Sequence, residues 1–156
     1  MTKTRSSTQE TTACDILNHL SEALIFADKQ GIIQIWNPGA EALFGFSPEE
    51  VVGKSLDIII PETLRKAHWE GYGRALAQGT TAHGRRTMIT RALHRNGDHI
   101  YVDMSFAVVR NHAGEVTGSV AVASDASQRH AEEKDLRRRL KELEANREAW
   151  QLFMQR

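Results

Sequence analysis

Three strand-like segments joined by short turns limit the folds that the second half of this chain can adopt. They cover residues 86–95, 99–110 and 116–124. Asn96-Gly97 lies in the first break and residues 111–114 fill the second, and turns this short join antiparallel neighbours. Within the middle segment apolar and polar side chains alternate, which is typical of a strand with one buried face. We therefore expect an antiparallel sheet that covers a core on one side.

The first half of the chain adds two strands and several short helices. Residues 23–36 form two strand-like runs around a turn that contains Gly31. Ser47-Pro48, with Glu50 following, is a strong N-terminal helix signal. Residues 62–78 have helical periodicity and end before Gly79, a natural C-cap. The order predicts an α+β fold in which a five-stranded antiparallel sheet carries helices on one face and a pocket lies between the layers.

The segment after residue 125 has a different pattern. Its apolar residues fall at alternating steps of four and three, and Arg147 interrupts the series. This is the a/d spacing of a coiled coil, and it comprises Leu136, Leu140, Leu143, Trp150 and Met154. We interpret the tail as a dimerising signalling helix in a parallel homodimer. A single amphipathic helix lying on its own domain is the alternative.

Length and composition narrow the classes of function. The 156 residues suit one domain, which we place at 13–125, between a flexible leader at 1–12 and a C-terminal helix at 126–156. Lys plus Arg and Asp plus Glu both number 20, so no net charge favours nucleic acid. The sequence has no apolar run long enough to cross a membrane, and its single cysteine, Cys14, favours a cytoplasmic setting. It also lacks the common catalytic motifs, and we expect no enzyme.

Several segments resemble the PAS domain family across residues 14–130. They include the turn near Gly31, the Asn37-Pro38 helix start, the Asn96-Gly97 hairpin and the Asp125-Ala126-Ser127 exit; in full they are residues 27–33, 36–46, 49–54, 94–97 and 123–127. The resemblance implies a sensor fold. PAS domains hold haem, flavins, small metabolites or no ligand, so the fold alone leaves the ligand open.

A finer resemblance concerns residues 60–68, which look like the haem-binding PAS oxygen sensors of the FixL and direct-oxygen-sensor type. The chain distances from Pro61 to His68, and from His68 to Gly97, are those of that group. The resemblance implies haem b as cofactor, His68 as the proximal ligand of the haem iron, and Arg74 as the partner of a propionate.

Other residues are expected to line the same site. Leu64, His68 and Tyr72 recur every four residues, so they should share the inward face of their helix. Trp69 should point away from that face. The alignment with the sensors places Met104 and Phe106 on the distal, gas-binding side.

The chain departs from these sensors at Met88, which stands where they carry an arginine that binds dioxygen. Arg85 and Arg86 lie close by in sequence. Met88 or Met104 is therefore a candidate sixth iron ligand, with His83 as a weaker third.

The resulting hypothesis is a sensor of a diatomic gas, either O2 or CO or NO, that signals through its C-terminal helix. Its output would lie in a separate domain, such as a histidine kinase. The alternative is a haem-free PAS module that binds a small metabolite or serves as a dimerisation and protein-interaction unit.

Overall fold

The computed structural model describes residues 3–82, 84 and 86–155. Five antiparallel strands form one sheet in the order β2-β1-β5-β4-β3. The strands are β1 (Ala23–Asp28), β2 (Ile33–Trp36), β3 (Met88–Leu93), β4 (His99–Arg110) and β5 (Val116–Asp125). The helices are α1 (Lys3–His19), α2 (Pro38–Phe44), α3 (Pro48–Val51), α4 (Glu62–Gln78) and α5 (Ser127–Met154). The predicted α+β fold, including the helix after the last strand, is confirmed.

Capping residues place the short helices where the sequence indicated. Asn37 precedes α2, and its side-chain Oδ1 accepts hydrogen bonds from Ala40 N and Leu24 N at 2.9 and 2.7 Å. Ser47 and Glu50 form a capping box at the start of α3. Gly79 ends α4 in the left-handed region, with a φ of 71°, where a Cβ is disfavoured.

The core lies between one face of the sheet and the α2–α4 segment. Alternate residues of each strand point into it, as the strand period requires. The largest fully buried side chains are Phe44, Ile25, Ile33, Val51 and Val102. The opposite face of the sheet is partly open to solvent, since Ile35 and Val122 remain exposed there.

Helix α1 begins earlier than the sequence pattern indicated. The sequence predicts a flexible leader at residues 1–12 and a domain that starts at residue 13, whereas α1 begins at Lys3. Residues 1–20 contain neither Gly nor Pro, so nothing in them stops the helix from extending toward the N-terminus. Among the described residues, no helix is long and apolar enough to cross a membrane.

Candidate ligand-binding site

A cavity of about 290 Å³ lies between α4 and the inner face of the sheet. Its lining is largely apolar, with residues from α4 facing residues from β1, β3, β4 and β5. Six of the seven residues predicted for the site line it, namely Leu64, His68, Tyr72, Met88, Met104 and Phe106. The fold therefore brings together most of the set that the sequence selected.

His68 is a polar residue in this largely apolar lining. It is half-buried, and its Nδ1 is fully buried without a hydrogen-bond partner among the described residues. Burial lowers the pKa of the imidazole below its ordinary 6.5, and the nearby charge of Asp57 opposes this only in part. The ring is therefore neutral at neutral pH, the state in which a histidine binds a metal.

Tyr72 crosses from α4 to the sheet. Its hydroxyl donates to the carbonyl oxygen of Asp28 at 2.5 Å and lies 3.3 Å from that of Ala27, both at the end of β1. Burial raises the pKa of the phenol above its ordinary value, so the hydroxyl keeps its proton and remains a donor.

Trp69, which we expect to point away from the face that carries His68, does not line the cavity, although its side chain is half-buried. The indole packs against the core, and its Nε1 donates to Asp57 Oδ1 at 2.8 Å. Its ring meets the imidazole of His68 edge-on, with centroids 4.8 Å apart. A Cβ at Gly31 would lie 2.2 Å from the indole, so this packing requires the glycine. Helical periodicity could not reveal it, because the turn that accommodates Trp69 is distant in the sequence.

The sheet supplies the wall opposite α4. Met88 in β3 and Met104 in β4 are directly paired across the two strands, and both line the cavity. Arg91, which also contributes to the lining, is largely exposed to solvent. Among the basic residues close to Met88 in sequence, Arg86 is exposed. His83 and Arg85 lie outside the described residues.

Arg74 lies apart from the main cavity. It lines a second cavity of about 260 Å³ that also contacts His68 and Tyr72. Its side chain is exposed and has no ion pair among the described residues. An exposed guanidinium at this position is suited to binding a carboxylate.

The residues present fit haem by chemistry. A haem requires an apolar slot, an imidazole for its iron and a cation for its propionates, and the residues that could supply these are the apolar lining of the main cavity, His68 and, at the second cavity, Arg74. The unpartnered Nδ1 is the observation that distinguishes His68 from a core histidine with satisfied hydrogen bonds. The described residues contain no group of three or more His, Cys, Asp or Glu side chains that could hold a bare metal ion.

Curated relatives match parts of the chain. It is 41% identical over 61 residues to the sensor protein FixL of Bradyrhizobium diazoefficiens, a stretch that covers 39% of this chain and 12% of FixL. It is 47% identical over 38 residues to the oxygen sensor protein DosP of Escherichia coli, which covers 24% of this chain and 5% of DosP. The chain thus corresponds to a small part of each relative.

Solved structures share the fold at low identity. The PAS domain of a Colwellia psychrerythraea protein superposes with a TM-score of 0.66 at 20% identity, covering 76% of this chain and 97% of that one. An RNA-binding light-oxygen-voltage receptor superposes with a TM-score of 0.69 at 21% identity, covering 85% of this chain and 37% of the receptor. A family model for the PAS fold matches residues 15–126, which is most of the chain. The chain therefore belongs to the PAS family.

Proposed function

We propose that this PAS domain binds haem b through His68 and senses a diatomic gas. The observation that carries the proposal is the buried imidazole of His68, whose Nδ1 has no partner among the described residues and which faces an apolar cavity. Such an atom costs about 1–3 kcal/mol in a folded protein, so its retention suggests a use for the ring. The partial identity to FixL and DosP, together with the resemblance to haem PAS sensors, supports haem as the ligand.

The residues around His68 would each make a different contact with haem. Haem, when bound, would supply an iron that can take O2, CO or NO, with Met88 or Met104 as the candidate residue on the opposite side from His68. Leu64, Met104 and Phe106 would exclude water from the faces of the macrocycle. Arg74 would pair with a propionate, and Met88 occupies the wall where an arginine would otherwise favour dioxygen.

The signal would leave through β4 and α5. Met104 lines the cavity, while its neighbours on the strand, Tyr101 and Asp103, contact the first turn of α5 on the other face of the sheet. A shift of β4 at the cavity would therefore move the base of α5. We further propose that α5 pairs with a second copy in a parallel dimer and acts on an output domain such as a histidine kinase.

A haem-free PAS module is the second candidate. It is favoured by the volume of about 290 Å³, which is near the lower limit for ligand cavities. A flavin photoreceptor that forms a cysteine adduct is disfavoured, because Cys14, the one cysteine of the sequence, is exposed on α1, outside the cavity lining. In this second case the cavity would take a small metabolite, or the domain would serve in dimerisation.

An absorption spectrum with and without CO tests the proposal. Protein purified with haem available is expected to show a Soret band that shifts when CO is added. His68→Ala should lose or strongly alter the band. His112→Ala, at an exposed turn position, is the matched control and should leave it unchanged. A wild-type protein without a Soret band, or a His68→Ala protein with an unaltered one, would refute haem binding through His68.

A further inference from the structure

Two cavities meet at Tyr72. The main cavity of about 290 Å³ and the second one of about 260 Å³ are each smaller than a haem-sized macrocycle needs. They share part of their lining, namely Ala67, His68, Tyr72, Met88, Phe106 and Ser119. Removing the division between them would give one larger space that runs from His68 to Arg74.

The side chain of Tyr72 is one of those that line both cavities, and it crosses the gap between α4 and the sheet. It leaves α4 and ends at the sheet, where its hydroxyl donates to Asp28 O. The same carbonyl accepts a hydrogen bond from Gly31 N at 2.9 Å. Asp28 O would therefore keep a partner if the tyrosine swung away, and the tyrosine hydroxyl alone would have to find a new one.

The helix is weakened on both sides of Tyr72. Gly71 and Gly73 flank it in the middle of α4, and a Cβ added at either glycine would meet nothing within 4 Å. Packing therefore does not require glycine at these positions. Each glycine lowers the helix-forming equilibrium about fivefold relative to alanine, so this turn of α4 opens more readily than the rest.

We infer that Tyr72 is a movable gate that determines which size of ligand the site accepts. With its hydroxyl on Asp28 O, the gate is closed and each cavity admits only a small molecule. When the glycine-flanked turn loosens and the tyrosine swings away, the two cavities join and a large flat ligand can enter. The inference rests on the proposed function for haem as that ligand, but the gate itself can be tested without haem.

Two sets of variants should change, in opposite directions, the rate at which a large ligand enters the joined cavities. Tyr72→Phe removes the bond to Asp28 O and the weaker interactions with Ala27 O and the side chain of Ser119, so it should speed uptake at least about fivefold, the effect of one ordinary hydrogen bond. Gly71→Ala and Gly73→Ala stiffen α4 and should each slow uptake by up to about fivefold. Asn146→Ala, which favours helix in the remote, exposed α5, is the control and should not change the rate.

Three probes separate the gate from haem binding. Haem and the fluorescent dye 8-anilinonaphthalene-1-sulfonate represent large aromatic ligands, and their uptake is followed by stopped-flow absorbance and fluorescence. Indole, which fits one cavity, is followed by NMR and should enter all variants at the wild-type rate. Amide hydrogen exchange without any ligand should be faster at residues 71–73 than in the adjacent turns of α4, and the alanine variants should slow it.

The outcomes distinguish the two claims. If the uptake rates of the dye change as described but neither wild type nor any variant binds haem, the gate is supported and the haem proposal is refuted. If wild type binds haem through His68 but every variant takes up haem and dye at the wild-type rate, the gate is refuted and the haem proposal stands. A Tyr72→Ala variant that admits neither haem nor dye also refutes the gate, because the cavities then do not join.

Discussion

The rings of Tyr101 and His130 are stacked, with centroids 3.7 Å apart and planes inclined by 13°. This contact joins the outer face of β4 to the first turn of α5. Beside it, Arg129 pairs with Asp103 at 2.8 Å and lowers the pKa of that carboxyl group, so the pair stays charged at neutral pH. From Leu136 onward the apolar residues of α5 are exposed. The base of α5 is therefore its main attachment to the domain.

Loss of the ring stack should loosen the base of α5. An aromatic pair contributes about 0.5–1.5 kcal/mol, so Tyr101→Ala or His130→Ala should increase local opening about two- to tenfold. Amide hydrogen exchange at residues 130–133, the first amides bonded within the helix, measures this. The exposed His112→Ala is the control and should leave the exchange unchanged. Equal protection in all these proteins would show that the stack does not hold the helix.

The sequence predicted the sheet and α4 well because both depend on local patterns. Helix α4 spans Glu62–Gln78, as the apolar spacing and Gly79 indicated. The contacts of Trp69 and Tyr72 were not predictable in this way. Each depends on the turn after β1, which is far along the chain, and the exposure of Arg74 depends on how α4 is rotated against the sheet.

His68 should make the stability of the haem-free protein depend on pH. Its pKa in the folded state lies below the ordinary 6.5, so the unfolded chain binds more protons between these two values. The contribution to stability is fully present above about pH 6.5 and decreases as pH falls toward the folded pKa. Urea unfolding at pH 7.5 and 5.5 should therefore show a lower free energy of unfolding at the lower pH.

A substitution isolates the contribution of this histidine. His68→Phe removes both the titration and the unpartnered Nδ1, so it should reduce the pH dependence and stabilise the haem-free protein by about 1 kcal/mol. His112→Phe, at an exposed position, should retain the wild-type dependence. If the free energy of unfolding depends on pH in His68→Phe as it does in wild type, other groups cause the loss of stability at low pH.

Asn37 should hold α1 to the domain through its amide nitrogen. Besides accepting from Leu24 N and Ala40 N, its Nδ2 donates to Leu17 O at 3.1 Å and to Glu22 O at 3.0 Å. Asn37→Asp keeps the acceptor but sets a carboxylate oxygen against two carbonyls. Hydrogen exchange in the last turn of α1 should rise, while α2 remains capped.

A full truncation should be more damaging, because Asn37 is 3% exposed. Asn37→Ala leaves buried backbone groups without partners and should cost about 2–4 kcal/mol in urea unfolding. Asn111→Asp is the matched control, since Asn111 also accepts from two backbone amides but lies in an exposed turn. If Asn37→Asp leaves exchange in α1 unchanged, the two donor bonds are not what attaches the helix.

Dimerisation through α5 should depend on its a/d residues. Leu136, Leu140 and Leu143 are 64%, 56% and 66% exposed, so pairing with a second copy would bury them. Leu140→Lys places a charge among the a/d residues that pairing would bury, and it should weaken association at least tenfold. Sedimentation at several protein concentrations measures this. Ala145→Lys adds the same charge on the exposed face of α5 opposite the a/d residues and should leave association nearly unchanged. A wild-type monomer, or equal association of both variants, would exclude α5 as the dimer contact.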